Sequence, residues 1–207
     1  MSNLRVLLLL SLFLINIACA DKPYVDKLLL NKITDKYKIF AKKRFFFLQQ
    51  TLDSVKNKSD LEKLKAVNTF FNEVRYSSDM RIYKKKDYWA TPWEFLGKDA
   101  GDCEDYVISK YFALKYLGVD YKKLFFTYVR SSKFKEPHMV LTYFKTPRSE
   151  PLILDNNNRR IFPASKRKDL TPIYNFNGDL LNKIGNNKQK SHKKWDELKQ
   201  NIQRKKI

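Results

Sequence analysis

Glycine and proline are scarce in this chain, five and seven in 207 residues. That excludes collagen-like and low-complexity readings and leaves little material for a long flexible linker. Cysteine is scarcer, two in all, too few for a disulfide scaffold or a Cys-rich zinc site. No segment recurs at a fixed period, so solenoids and propellers are excluded. Acidic side chains number 22 against 42 basic ones, a formal charge of +20. Charge of that size accompanies disorder only when apolar residues are few. Here 43% are hydrophobic and 14% aromatic, enough for a packed core. The length fits one domain, two at most.

One long apolar run is present. Arg5 precedes Val6 to Ile15, and the run ends at Ala18-Cys19-Ala20 before charged Asp21. It is too short to span a bilayer. A basic start, a short apolar stretch and an A-x-A-like site predict a secretory signal over residues 1–20, cleaved after Ala20. The alternatives are a retained anchor or a lipoprotein on Cys19; Asn16 stands where a lipobox usually carries Leu. Loss of Arg5 takes the charge from +20 to +19. Loss of Cys19 leaves Cys103 alone, a single thiol in an oxidising compartment, either buried and inert or kept for chemistry.

From residue 21 to about 78 the pattern is helical, and the Phe45-Phe46-Phe47-Leu48 block reads as core. Ser59 and Glu62 form a capping box. Leu61, Leu64, Val67, Phe71 and Val74 then recur at steps of three and four, one helical stripe. Residues 79–100 read mostly as loop, with a short helix capped by Thr91, started by Pro92 and ended at Gly97. A central helix is expected over residues 102–117, stopped by Gly118. Strand formers follow in Leu124–Val129, His138–Phe144, Pro151–Leu154 and Pro172–Phe176. Helices first and strands later predict an α+β domain with a mainly antiparallel sheet. Residues 181–207 form a basic, partly helical tail. Its last twenty residues hold eight basic and two acidic side chains, +6. Trp195, Leu198 and Ile202 suit an amphipathic helix, read as a solvated face or as contact with anionic envelope components.

Gly101-Asp102-Cys103-Glu104-Asp105-Tyr106 opens the central helix. A thiol there sits where free N–H groups and the macrodipole favour an anion. His138 begins a strand and Asp155 ends one. In that chain order the three are the parts of a nucleophile–base–orienter triad. Cys103 would attack a carbonyl, His138 would carry the proton, and Asp155 would hold the imidazole. Backbone N–H groups near Cys103, with a group from the Trp89–Trp93 segment, are the candidate oxyanion donors.

Four pieces carry a resemblance: Trp89-Ala90-Thr91-Pro92-Trp93-Glu94-Phe95-Leu96, Gly101 to Tyr106, His138-Met139-Val140-Leu141, and Pro151-Leu152-Ile153-Leu154-Asp155-Asn156. In order and spacing, over about residues 60–178, they look like the bacterial transglutaminase-like cysteine proteinases of the LapG type. The resemblance implies a papain-like, transglutaminase-like fold over residues 21–180 and a Cys103-His138-Asp155 triad. It implies a periplasmic endopeptidase that clips the N-terminal region of a large surface adhesin, dispersing biofilm. It also implies calcium (Ca2+) bound through Asp102 and Glu104, and inhibition by an inner-membrane cyclic-di-GMP receptor. The residues supply their own reason for a cation. Asp102, Glu104 and Asp105 surround Cys103, and uncompensated negative charge would oppose a thiolate. The plainer reading is capping: Asp102 as N-cap, Glu104 and Asp105 complementing the dipole.

Two rivals follow from the same residues. A transamidase would use the same triad with an amine as acceptor. A non-enzymatic cationic module would bind anionic envelope polymers. Nucleic acid is not an expected partner, since export removes the chain from it and no binding motif is present.

Overall fold

The computed structural model describes residues 22–133, 137–180 and 190–207, with side chains of the last segment from 193 onward. The expected leader over residues 1–20, the first residues of the tail and the side chain of His192 lie outside what is described. No helix among the described residues is long and apolar enough to cross a membrane.

The N-terminal half is helical, as its patterning predicts. Helix α1 spans Lys27–Val55 and is interrupted at Lys38, whose positive φ of 70° breaks the helical ladder. Helix α2 spans Asp60–Phe71 and starts with the expected box: Glu62 accepts from the Ser59 N–H at 3.0 Å. The Phe45–Leu48 block is only half core. Phe45 and Leu48 are buried, whereas Phe46 and Phe47 are 58% and 56% exposed. The reason is helical geometry: four consecutive residues cannot all face one side.

Residues 75–101 hold more structure than expected. Strand β1 (Arg75–Tyr76) pairs in parallel with β2 (Ala100–Gly101), and a short helix α3 covers Asp79–Tyr83. Helix α4 runs Pro92–Lys98 from its Thr91 cap. Its end is not Gly97. Asp99 takes the left-handed conformation (φ 55°) and closes the helix, a conformation Asp tolerates better than most residues. Gly97 answers a different need: a Cβ there would lie 2.5 Å from the Tyr37 ring.

Helix α5, Cys103–Tyr116, is the centre of the molecule. Residues 105 to 111 are all buried, so no single apolar side exists. Gly118 (φ 80°) ends it as expected, with the Val119 N–H bonded to the Leu114 carbonyl at 3.0 Å. Against α5 lies a five-stranded sheet of β3 (Leu124–Ser131), β4 (Pro137–Tyr143), β5 (Leu152–Leu154), β6 (Phe162–Pro163) and β7 (Leu170–Phe176). Its order is β6-β5-β4-β3-β7 and every pairing is antiparallel. The expected strand 172–176 begins earlier, at Leu170, and β6 was not expected.

The C-terminal helix α6, Lys190–Gln203, returns to this core. Trp195 and Leu198 are 1% exposed, so the apolar side of the helix is seated in protein and does not face solvent. Trp195 stacks on Phe112 with ring centroids 5.7 Å apart and meets Phe126 edge-on at 5.1 Å. It also lies flat on Gly178, where a Cβ would come within 2.1 Å of the indole. Trp195→Ala is expected to cost about 4 kcal/mol, the scale of a buried Trp truncation. For a domain of this size that lowers Tm by roughly 10 °C, which differential scanning calorimetry would register. An unchanged Tm would mean that α6 contributes no packing energy.

Candidate active site

The sulfur sits on the first residue of α5, and a buried carboxylate holds that start in place. Asp105, with no exposure, accepts from the Ala90 N–H at 2.9 Å and from the Asp102 N–H at 3.4 Å. The Trp89–Trp93 segment is thereby pinned beside the helix. The Ala90 N–H is consumed by this bond and is not available as an oxyanion donor. The Trp89 Nε1 is buried with no acceptor. Gly101 permits the close approach, since a Cβ there would lie 2.4 Å from the Phe95 ring and 2.6 Å from Asp105 Oδ2.

Cys103 donates its thiol hydrogen toward Glu104 Oε2 at 3.1 Å. Burial pushes the thiol pKa well up, and the Glu104 charge pushes it further. The Met139 backbone N–H, bonded to the sulfur, acts in the opposite direction. That bond brings Cys103 to the start of β4, one residue from His138.

His138 and Asp155 meet through strand register. Leu141 pairs with Leu154, so Asp155 comes opposite Val140, on the face that His138 shares by alternation. His138 Nε2 and Asp155 Oδ1 are 2.8 Å apart, and both residues are buried. Asp155 Oδ1 also accepts from the Asn157 N–H at 2.9 Å, and Oδ2 from Arg167 Nη2 at 2.7 Å. Arg167 in turn holds Asp169 through Nε and Nη2, each at 2.9 Å. Burial alone would raise the Asp155 pKa. The bonds from His138, Asn157 and Arg167 outweigh it and hold the carboxyl at about 2. Arg167, Asp169 and Asn157 were not anticipated. They line, with His138 and Asp155, a polar cavity of about 50 Å3. A roomier groove of about 530 Å3 lies between Phe125 and Phe144 at the far end of β3 and β4 and shares no residue with the site.

A depressed carboxyl stabilises the fold above its unfolded pKa of about 3.9 and loses that contribution as pH falls toward the folded value. For Asp155 the window is roughly pH 4 down to pH 2, and the amount about 2.6 kcal/mol. Asp155→Asn should therefore be markedly less stable than wild type at pH 6, with the gap closing by pH 2. Parallel Tm curves across that range would mean that Asp155 carries no such charge.

Behind the sulfur lies a knot of acid. Oxygens of Asp79, Asp102 and Glu104 fall within 4.8 Å of one another. Asp79 is buried and accepts from the Tyr88 N–H through Oδ2, while its Oδ1 and the Oδ1 of Asp102 are buried without a partner. Burial and the neighbouring charges of Glu104 and Asp87 push the Asp79 pKa up to about 6, even against the Tyr88 bond. Burial, Glu104 and Asp105 push Asp102 up as well. Capping thus explains Asp105 and leaves the Asp102 Oδ1 unexplained. Three converging carboxylates, two of which keep a buried oxygen without a partner, fit a hard divalent cation. Asp79 joins the two residues expected from sequence. Its only local signal was a helix-start acid after Ser78.

The description of a bacterial transglutaminase-like cysteine proteinase matches residues 47–176, which contain α2, the α5 start, β4 and β5. The chain belongs to that family. Among solved structures it is similar to three of Legionella pneumophila LapG. The calcium-bound form is 39% identical, covering 84% of this chain and 97% of that one, with a TM-score of 0.71. A second LapG structure is 38% identical over 89% and 100%, TM-score 0.72. The EGTA-treated form is 37% identical over 89% and 100%, TM-score 0.72. The search of curated proteins finds no match. The mixed helical and antiparallel architecture is therefore the transglutaminase-like one, and this cysteine proteinase carries one cysteine, Cys103, within the matched region.

Proposed function

We propose that this proteinase is a calcium-dependent endopeptidase whose attacking group is Cys103, with His138 as base and Asp155 as its orienting carboxylate. The observation that carries the reading is the buried 2.8 Å His138–Asp155 pair one residue from the backbone N–H that touches the sulfur. Because Asp155 engages Nε2, Nδ1 is the ring nitrogen that exchanges a proton with the thiol. The sulfur attacks the scissile carbonyl carbon, a C–S bond forms and the thiol proton passes to His138. Collapse of the tetrahedral adduct breaks the C–N bond, and the leaving amine takes that proton. Water then attacks the thioester, gives its proton to His138, and the thiolate leaves and is reprotonated. The Asp155 charge stabilises the imidazolium that appears between these steps.

Asp79, Asp102 and Glu104 would hold the cation, with carbonyls or water completing the six to eight ligands calcium prefers. Bound there, it supplies two positive charges against the carboxylates that oppose the thiolate. Saturating calcium, about one hundred times Kd, should add about 2.7 kcal/mol and raise Tm by roughly 5–10 °C. Asp79→Asn should remove most of that gain. Identical melting in calcium and in EGTA would remove the cation from the account.

The leader reading makes the enzyme periplasmic, and family membership supports a large surface adhesin as substrate, cut near its N-terminus to release cells from a biofilm. The inhibitory partner would be an inner-membrane cyclic-di-GMP receptor. The test is incubation of the exported enzyme with an N-terminal adhesin fragment, with calcium and with EGTA, followed by N-terminal sequencing. One new N-terminus in calcium alone is expected. No cleavage of any adhesin fragment in calcium would refute the substrate assignment.

A further inference from the structure

The second part of α1 leaves an apolar ridge uncovered. After the break at Lys38, Ala41, Phe45, Leu48 and Leu52 face inward and are buried. On the opposite side Ile39, Phe40, Phe46 and Phe47 are 51%, 69%, 58% and 56% exposed. At 100° per residue these four fall within about one third of the helix circumference. Phe46 and Phe47 contact each other edge-on at 5.9 Å, and Lys43 Nζ lies 5.8 Å from the centre of the Phe40 ring. Scattered exposed apolar residues are ordinary, but four large ones on one ridge within nine positions are not.

The collar of the ridge is basic. Lys36, Lys38, Lys42 and Lys43 are all exposed, with Asp35 the one acid among residues 32–44. Lys32 is exposed one turn earlier, whereas Arg44 turns inward to the Leu96 and Gly97 carbonyls at 2.8 and 2.7 Å. The ridge is convex, so it does not form a groove for a peptide. A soft surface that is apolar inside and anionic outside matches it: rings enter the acyl boundary while lysines stay at the headgroups. The C-terminal helix cannot serve this way with its apolar side, because Trp195 and Leu198 are buried.

We infer that the outer face of α1, with Phe40, Phe46 and Phe47 as the inserting residues and Lys38, Lys42 and Lys43 around them, docks the enzyme on an anionic phospholipid surface. The face points away from the side of α1 that packs on α2 and α4, so docking and peptide cleavage are separable functions. Each lysine or arginine near such a surface adds electrostatic attraction, and aromatic rings add apolar burial. Neither alone gives firm attachment, so both should be needed.

The experiment is flotation of the full chain, as processed by the exporting cell, with vesicles of phosphatidylcholine alone or with 30 mol% phosphatidylglycerol (about the anionic fraction that tests the charge requirement). Wild type is compared with a Phe40→Ser, Phe46→Ser, Phe47→Ser variant and with a Lys42→Glu, Lys43→Glu variant. All share one N-terminus, so any contribution of residues 1–20 cancels. The substituted residues are exposed, and circular dichroism with a melting curve checks that each variant folds. Wild type should float with the anionic vesicles and not with phosphatidylcholine alone. Each variant should partition at least about tenfold less, with unchanged cleavage of a soluble substrate. Equal flotation of wild type and the Phe variant would overturn the proposal, leaving only general adsorption of a cationic protein. Absence of wild-type flotation would also overturn it. So would a wild-type dimer, abolished by the Phe variant, that ignores vesicles: the ridge would then belong to a second copy of this chain.

Discussion

Cys103→Ala is expected to lower cleavage by about 10,000-fold or more, while the melting curve stays close to wild type. The size follows from what is lost. Without the sulfur there is no covalent intermediate, and His138 has no thiol proton to take. Removal of a nucleophile from a triad leaves only residual binding and electrostatic effects. The fold should tolerate the change because the sulfur fills little space and is only partly buried. The α5 start is held by Asp105 and Gly101, not by the thiol. Both readouts matter: lost activity with a collapsed melting curve would leave the chemistry untested, and Cys103→Ser then supplies the closer isostere. Peptide hydrolysis at the wild-type rate by a folded Cys103→Ala protein would end the nucleophile assignment.

Arg167→Met should produce the second large effect, on stability and activity together. The guanidinium is 6% exposed and ties Asp155 Oδ2 at 2.7 Å to Asp169. Its removal leaves one oxygen of a buried carboxylate without its charged partner. Breaking a buried pair from one side costs about 3 kcal/mol, which for this size of domain is roughly 10 °C in Tm. Asp155 would also lose the constraint that fixes its angle to His138. A displaced orienting group can cost about 100-fold in rate. Arg167→Lys should recover part of the stability and less of the rate, since an ammonium keeps the charge and loses the planar fork. Calorimetry and steady-state cleavage measured on both variants check this. A folded Arg167→Met enzyme with full activity would make Arg167 a surface-like cation with no hold on the site.

What could be read from the chain was local. The starts of α2, α4 and α5 are written in caps that lie within three residues of one another. The strand carrying His138 and the one ending at Asp155 are runs of strand formers. Their meeting follows once antiparallel register is granted. What could not be read depends on partners far along the chain. Arg167 sits between Lys166 and Lys168 and looks like a solvated charge run, yet it folds under Asp155, twelve positions earlier. Asp79 looks like a helix-start acid, yet one of its oxygens lies within 4.8 Å of oxygens of Asp102 and Glu104, more than twenty positions later. Gly97 reads as a helix stop because glycine usually is one, while its constraint in the fold is the ring of Tyr37. Trp195 lies in a cationic stretch whose charge conceals that the indole is core.

The central claim is that one sulfur does the chemistry, and alkylation tests it most directly. The exported enzyme is treated with iodoacetamide in calcium, and residual cleavage is followed alongside mass-spectrometric occupancy of the peptide containing Cys103. The account predicts that activity falls in step with modification of Cys103, one to one, and that the His138→Ala enzyme reacts more slowly. Full modification of Cys103 with cleavage undiminished would contradict it.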